Sequence, residues 1–139
     1  MYTEKLQHFE NIKNLGGKAW EHAVACDVIS KTPVQDCSLH CFHFQQLFEL
    51  LLKHLLETRT KYGAYPRTHK LDKLLLQVID DAGFNPESSK YIEPLNTITV
   101  CAEAYRYNFL LDCTTYQRSV ETLNPLFDEL AEFSKTSPR

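Results

Sequence analysis

Glycine is scarce in this chain, four among 139 residues, and methionine and tryptophan occur once each. No stretch alternates apolar and polar residues with period two, so a sheet architecture is excluded and the chain reads as all-α. No run is apolar enough to cross a membrane. The most hydrophobic stretch, LFELLLKHLL (47–56), is short and contains Glu49, Lys53 and His54. The N-terminal MYTEKLQHFENIK lacks the apolar core of a signal peptide and the Arg- and Ser-rich character of a transit peptide. A large excess of one sign of charge is missing too. Fifteen Lys and Arg face 18 Asp and Glu, for a net −3 and a pI near 6.0. That balance argues against the broad basic surface of a nucleic-acid coat protein, though not against a local basic patch. No repeat, low-complexity tract, glycine-rich phosphate loop, nucleophile elbow or paired-carboxylate pattern occurs.

Hydrophobic residues make up 43% of the chain. A chain of this length buries about two thirds of its unfolded surface. One domain over residues 1–139 is therefore expected, with no need of a metal or disulfide staple. The five cysteines are odd in number and scattered. They read as reduced thiols of a cytoplasmic protein, with Cys26, Cys101 and Cys113 as small buried hydrophobes.

Apolar spacing of three and four predicts four to five helices. The first covers roughly 3–29, and Gly16–Gly17 either bends it or divides it; a bundle favours one helix. Thr32, Pro33 and Gln35 form a start signal, N-cap, first-turn proline and capping-box partner, for a helix running to about residue 62. At 1.5 Å per residue this rod is about 45 Å long. A third helix spans about 69–82 on Leu71, Leu74, Leu75, Val78 and Ile79, with Gly83 at its C-terminus. A fourth covers about 88–111, its true start displaced to 93–94 by Pro94. The last covers 116–135, kinked or restarted by Asn124–Pro125.

Phe42, Phe44, Leu47, Phe48, Leu50, Leu51, Leu52, Leu55 and Leu56 leave the long helix apolar nearly all round. Such a helix is buried on several sides, and in so small a chain one side is expected to meet a second copy. Its one polar stripe is His43, Gln46, Glu49, Lys53 and Glu57. Either this stripe is solvated, with Glu49 and Lys53 as an exposed ion pair, or it faces a groove.

Three phrases then stand in register: HFQQLFELLLKHLLE (43–57), YPRTHKLDKLL (65–75) and AEAYRYNFLL (102–111). Together they resemble the HEPN domains, helical bundles named for nucleotide binding in higher eukaryotes and prokaryotes. The matching residues are Gln45, Gln46, Glu49 and Lys53, then Pro66, Thr68, His69, Leu71 and Leu74, then Arg106 and Tyr107. The resemblance implies an up-and-down bundle, usually dimeric. It also implies a nucleotidyltransferase partner, as in toxin–antitoxin-type systems, or a metal-independent ribonuclease whose signature is Arg, four to six residues, then His. That signature is absent. Arg106 is followed by YNFLLDCTTYQ and no histidine follows Arg118, so a non-catalytic role is expected.

Three candidate sites follow. Arg59, Lys61, Arg67, His69, Lys70 and Lys73 crowd the entrance of the third helix, where free N–H groups and the helix dipole favour an anion. Arg67, Thr68 and His69 would be its donors. The same residues equally suit plain helix initiation, with Thr68 as N-cap. Arg106, flanked by Tyr105 and Tyr107, reads either as a flank arginine paired with an acid such as Glu103 or as a groove arginine beside a stacking aromatic. Cys37, His40, Cys41 and His43 invite a zinc reading. Two turns of one helix rarely supply four tetrahedral ligands, so neither metal nor cofactor is expected. The leading expectation is a non-catalytic nucleotide- or RNA-binding homodimer, without membrane association. The alternatives are a ribonuclease with a rearranged site and a purely structural dimerisation module.

Overall fold

The computed structural model describes residues 1–33, 37–61, 63–87, 90–106 and 112–136, with the side chains of 104–106 outside that description. Every regular element among the described residues is helical. They are α1 (Tyr2–Lys5), a single 3₁₀ turn (Gln7–Phe9), α2 (Leu15–Ser30), α3 (Ser38–Arg59), α4 (Leu71–Ala82), α5 (Ile92–Arg106) and α6 (Cys113–Lys135). The all-α bundle with a long central helix is borne out.

The first segment is divided, against expectation. Asn11 sits in the left-handed region (φ 62°), and the chain then restarts at Asn14, whose side chain accepts the Gly17 N–H at 3.0 Å. The two glycines thus open α2 instead of bending a longer helix. A Cβ on Gly17 would lie 1.6 Å from the Ile12 carbonyl oxygen. Only glycine allows residues 11–14 to press so closely on the helix start. The short α1 is held by Asp27 of α2, whose carboxylate accepts the Tyr2 and Thr3 N–H groups, each at 3.0 Å. The first-turn donors that a four-residue helix cannot satisfy itself are met there.

The start signal for the long helix misled. Thr32 Oγ1 donates back to the Val28 carbonyl in the last turn of α2, and α3 begins at Ser38. Gln35 lies outside the described residues. Gly83 does end α4 at φ 78°, with the Phe84 N–H reaching the Val78 carbonyl. Pro94 falls in the first turn of α5, where its missing N–H costs no intrahelical bond. α6 is continuous through Pro125 from an Asp112 N-cap. Asn124 is not a cap; its side chain accepts the Tyr2 hydroxyl at 2.6 Å.

α3 is the axis, packed by α2, α4, α5 and α6. Leu47, Phe48, Leu51, Leu52, Leu55 and Leu56 are all fully buried within this one chain. The apolar ring that pointed to a second copy is therefore covered by the chain's own helices. No helix among the described residues is long and apolar enough to cross a membrane.

The cysteines do not follow the expectation of five free thiols. Cys37, just before α3, is disulfide-bonded to Cys113, the first residue of α6, and 76 positions of chain separate them. Cys113 is thus no inert hydrophobe, and the argument from reduced thiols to a cytoplasmic location falls away. Cys26, Cys41 and Cys101 are free and buried.

Candidate functional site

The polar stripe of α3 is where the exposed-pair reading fails. Glu49 and Lys53 are only 5% and 8% exposed. One Glu49 oxygen takes Lys53 Nζ at 3.2 Å; the other takes Gln45 Nε2 at 2.9 Å and His69 Nδ1 at 2.8 Å. Burial pushes the Glu49 carboxyl up, but the hydrogen bonds from Gln45 and His69 and the charge on Lys53 outweigh it and hold it below the usual carboxylate value. A buried carboxylate with these partners stays ionised.

His69 lies in the extended stretch before α4, with 62% of its side chain exposed. A carboxylate only accepts, so the Glu49 contact places a proton on Nδ1 and leaves Nε2 for solvent or a ligand. The loop is clamped a second time by Gln45 Nε2, which donates to the His69 carbonyl at 3.2 Å. Gln46 Nε2 in turn donates to Gln45 Oε1 at 2.8 Å. Lys53 also lies under the Tyr65 ring, 5.4 Å from its centroid, a cation–π distance. One buried ion pair therefore anchors two points of the 63–70 loop.

The helix entrance is built differently from either starting idea. The N-cap of α4 is Lys70, with no side-chain cap. The Thr68 hydroxyl accepts the Lys70 N–H at 3.2 Å, and the Leu71 N–H goes to Thr99 Oγ1 of α5 at 3.3 Å. Thr68 is thus a turn former and not the N-cap. Arg67, Lys70 and Lys73 are exposed and form no ion pair among the described residues. Arg59 leaves the basic cluster. Its guanidinium donates to the carbonyls of Ser134 and Thr136 and lies over the Phe133 ring.

Arg106 ends α5, but its side chain and all of Tyr107 lie outside the described residues. By helical rise its backbone stands about 10 Å along the axis from Thr99. The zinc candidates part company: Cys37 is in the disulfide, His40 contacts the Tyr116 hydroxyl, His43 Nδ1 meets His22 Nδ1 at 2.9 Å, and Cys41 faces the Ile98 carbonyl. Tyr65 and Thr99 were not foreseen as parts of this region, and Gln45 entered only through the family resemblance. Of these only Gln45 left a signal, its four-residue spacing to Glu49.

A family model described as HEPN domain matches residues 33–130, well over half of the chain. No curated protein and no solved structure is significantly similar to it.

Proposed function

The chain belongs to the HEPN domain family, and from that premise we propose that it binds a nucleotide or RNA phosphate at the Arg67–His69–Lys70 lip without cleaving it. The observation that carries this reading is the clamped, exposed His69. Glu49 holds the ring through Nδ1, most of the side chain stays exposed, and the exposed Arg67 and Lys70 flank it in sequence. Arg67 would donate to a phosphate oxygen as a fork, with the Lys70 ammonium and the His69 ring beside it. Gln46, Glu49 and Lys53 support the lip from beneath, and Arg106 with Tyr107 are proposed as further ligand contacts. A homodimer, a nucleotidyltransferase partner and a toxin–antitoxin-type setting rest on the family alone. Residues 1–139 are taken as one unit because α1 to α6 contribute to one core.

Binding of labelled ADP or short RNA should weaken with salt, since the charges are exposed. It should weaken about tenfold in Arg67→Ala, the loss of one charge-assisted hydrogen bond. Absence of any salt-dependent binding removes the proposal.

The Glu49–His69 pair favours one second reading. A buried carboxylate orienting an exposed imidazole is also how proton-transfer sites are built. Metal-free RNA cleavage abolished by His69→Ala would replace the binding reading with the ribonuclease one.

A further inference from the structure

Beside the lip lies an open cleft of about 720 Å³. It is enclosed by the 11–14 segment, the first turns of α2, Glu57 near the end of α3 and Tyr65 of the loop. Residues 11–21 precede the stretch matched by the family model, so family membership does not assign this cleft a role. Its walls are well defined. The 11–14 segment is pressed onto α2 so closely that Gly17 tolerates no Cβ, and Tyr65 is held by the Lys53 ammonium.

The volume falls in the range of small-ligand pockets, roughly 300–1,000 Å³. Two aromatic rings, Trp20 and Tyr65, border it. Lys13 and Lys18 are matched by Glu21 and Glu57, and none of the four forms an ion pair among the described residues. A cleft whose two ammonium and two carboxylate groups cancel offers a polyanion no net attraction. It suits a flat, neutral group with several hydroxyl and amine donors, which the carboxylates can accept. The neighbouring lip, by contrast, is cationic. Tyr65 stands two residues from Arg67 and four from His69, and the Glu49–Lys53 pair anchors both Tyr65 and His69.

We propose that the cleft receives the nucleoside half of a mononucleotide whose phosphates rest on the Arg67–His69–Lys70 lip. The base packs against Trp20 and Tyr65, and Glu21 or Glu57 accepts from ribose hydroxyls. An extended RNA strand would find no net positive charge along the cleft to hold its backbone, so the single nucleotide is the favoured ligand. This rests on the lip reading for its phosphate half only.

Trp20 is the chain's single tryptophan, so its emission reports on the cleft directly. The intact protein is titrated separately with ADP, adenosine and inorganic pyrophosphate, following Trp20 fluorescence and calorimetric heat. ADP and adenosine should change the emission; pyrophosphate should bind without changing it. Tyr65→Ala, at a partly exposed position, should weaken ADP about tenfold, as the loss of one base-stacking ring does, and leave pyrophosphate unaffected. Arg67→Ala should weaken ADP and pyrophosphate but not adenosine. ADP binding with unchanged Trp20 emission and full affinity in Tyr65→Ala overturns the cleft and leaves the lip standing. Adenosine binding that moves Trp20, with no pyrophosphate binding, keeps the cleft and removes the lip. If no probe binds, both are overturned.

Discussion

The two ends of α3 are fastened by different chemistry. At its start, Cys37 is covalently tied to α6, and the next turn adds His40 against Tyr116. Further along, Glu49 and Lys53 hold the 63–70 loop through hydrogen bonds and charge. The covalent end is indifferent to salt and sensitive to reductant. The electrostatic end is indifferent to reductant, and beside it the loop and the start of α4 present the exposed Arg67, Lys70 and Lys73 to solvent. A ligand that brings charge can bias the second end but not the first, which is why the binding proposals gather there.

The largest effect should come from the covalent end. Cys37→Ser opens a loop of 76 positions, and the lost constraint on the unfolded chain is worth about 4 kcal/mol. Calorimetry should show a melting temperature lower by roughly 10 °C. Dithiothreitol should reproduce the drop in the native chain and do nothing further to the variant. A native chain indifferent to reductant would erase the contrast between the ends.

Glu49→Ala should cost about 3 kcal/mol, because it leaves the Lys53 ammonium buried without its partner. Urea titration measures this. The double change Glu49→Leu with Lys53→Met should recover most of the loss, since no charge is then left stranded, but His69 would lose its anchor and phosphate binding with it. Equal stability of the single and double variants would show that the pair does not organise that end.

Acid should separate the two ends more gently. Burial lowers the pKa of His22, His40 and His43 around the start of α3, and also those of His8 and His54. The unfolded chain then binds more protons than the folded one below the ordinary histidine value of about 6.5. Stability is therefore full above that pH and falls as pH drops from there. Glu49 adds a second, lower window. Its folded pKa is depressed, so its contribution is present above the ordinary carboxylate value and is lost as pH falls through the folded one. Melting followed from pH 7 to about pH 2 should decline first with the histidines. Glu49→Gln should remove only the late part of the decline. A decline confined to the acidic limit would contradict the histidine assignment.

Much of the bundle was legible beforehand. α4 and its Gly83 stop could be read because an amphipathic stripe and a left-handed terminus are local properties. The displaced start at Pro94 was readable for the same reason, proline restricting its own turn. Local cues misled where a distant group competed for the same atoms. Thr32 resembles a cap but bonds backward to α2, and Asn124 resembles a cap but serves Tyr2 of α1. The candidate site shows the same division. His69 and Glu49 were each singled out, yet nothing in a 20-residue separation says that one would clamp the other. The Cys37–Cys113 bridge was unforeseeable on similar grounds, since spacing does not report which sulfurs meet.

By itself the sequence determined that this chain is helical, that residues 43–57 form its most buried helix, and that a basic phrase precedes α4, because periodicity and composition act within a few turns. Only the tertiary structure decided that the Glu49–Lys53 pair is buried, that Arg59 turns away to the end of α6 while Arg67 remains free, and that Trp20 and Tyr65 border one cleft. Those outcomes depend on which helices pack together, and that is set by the summed burial of many side chains far apart along the chain.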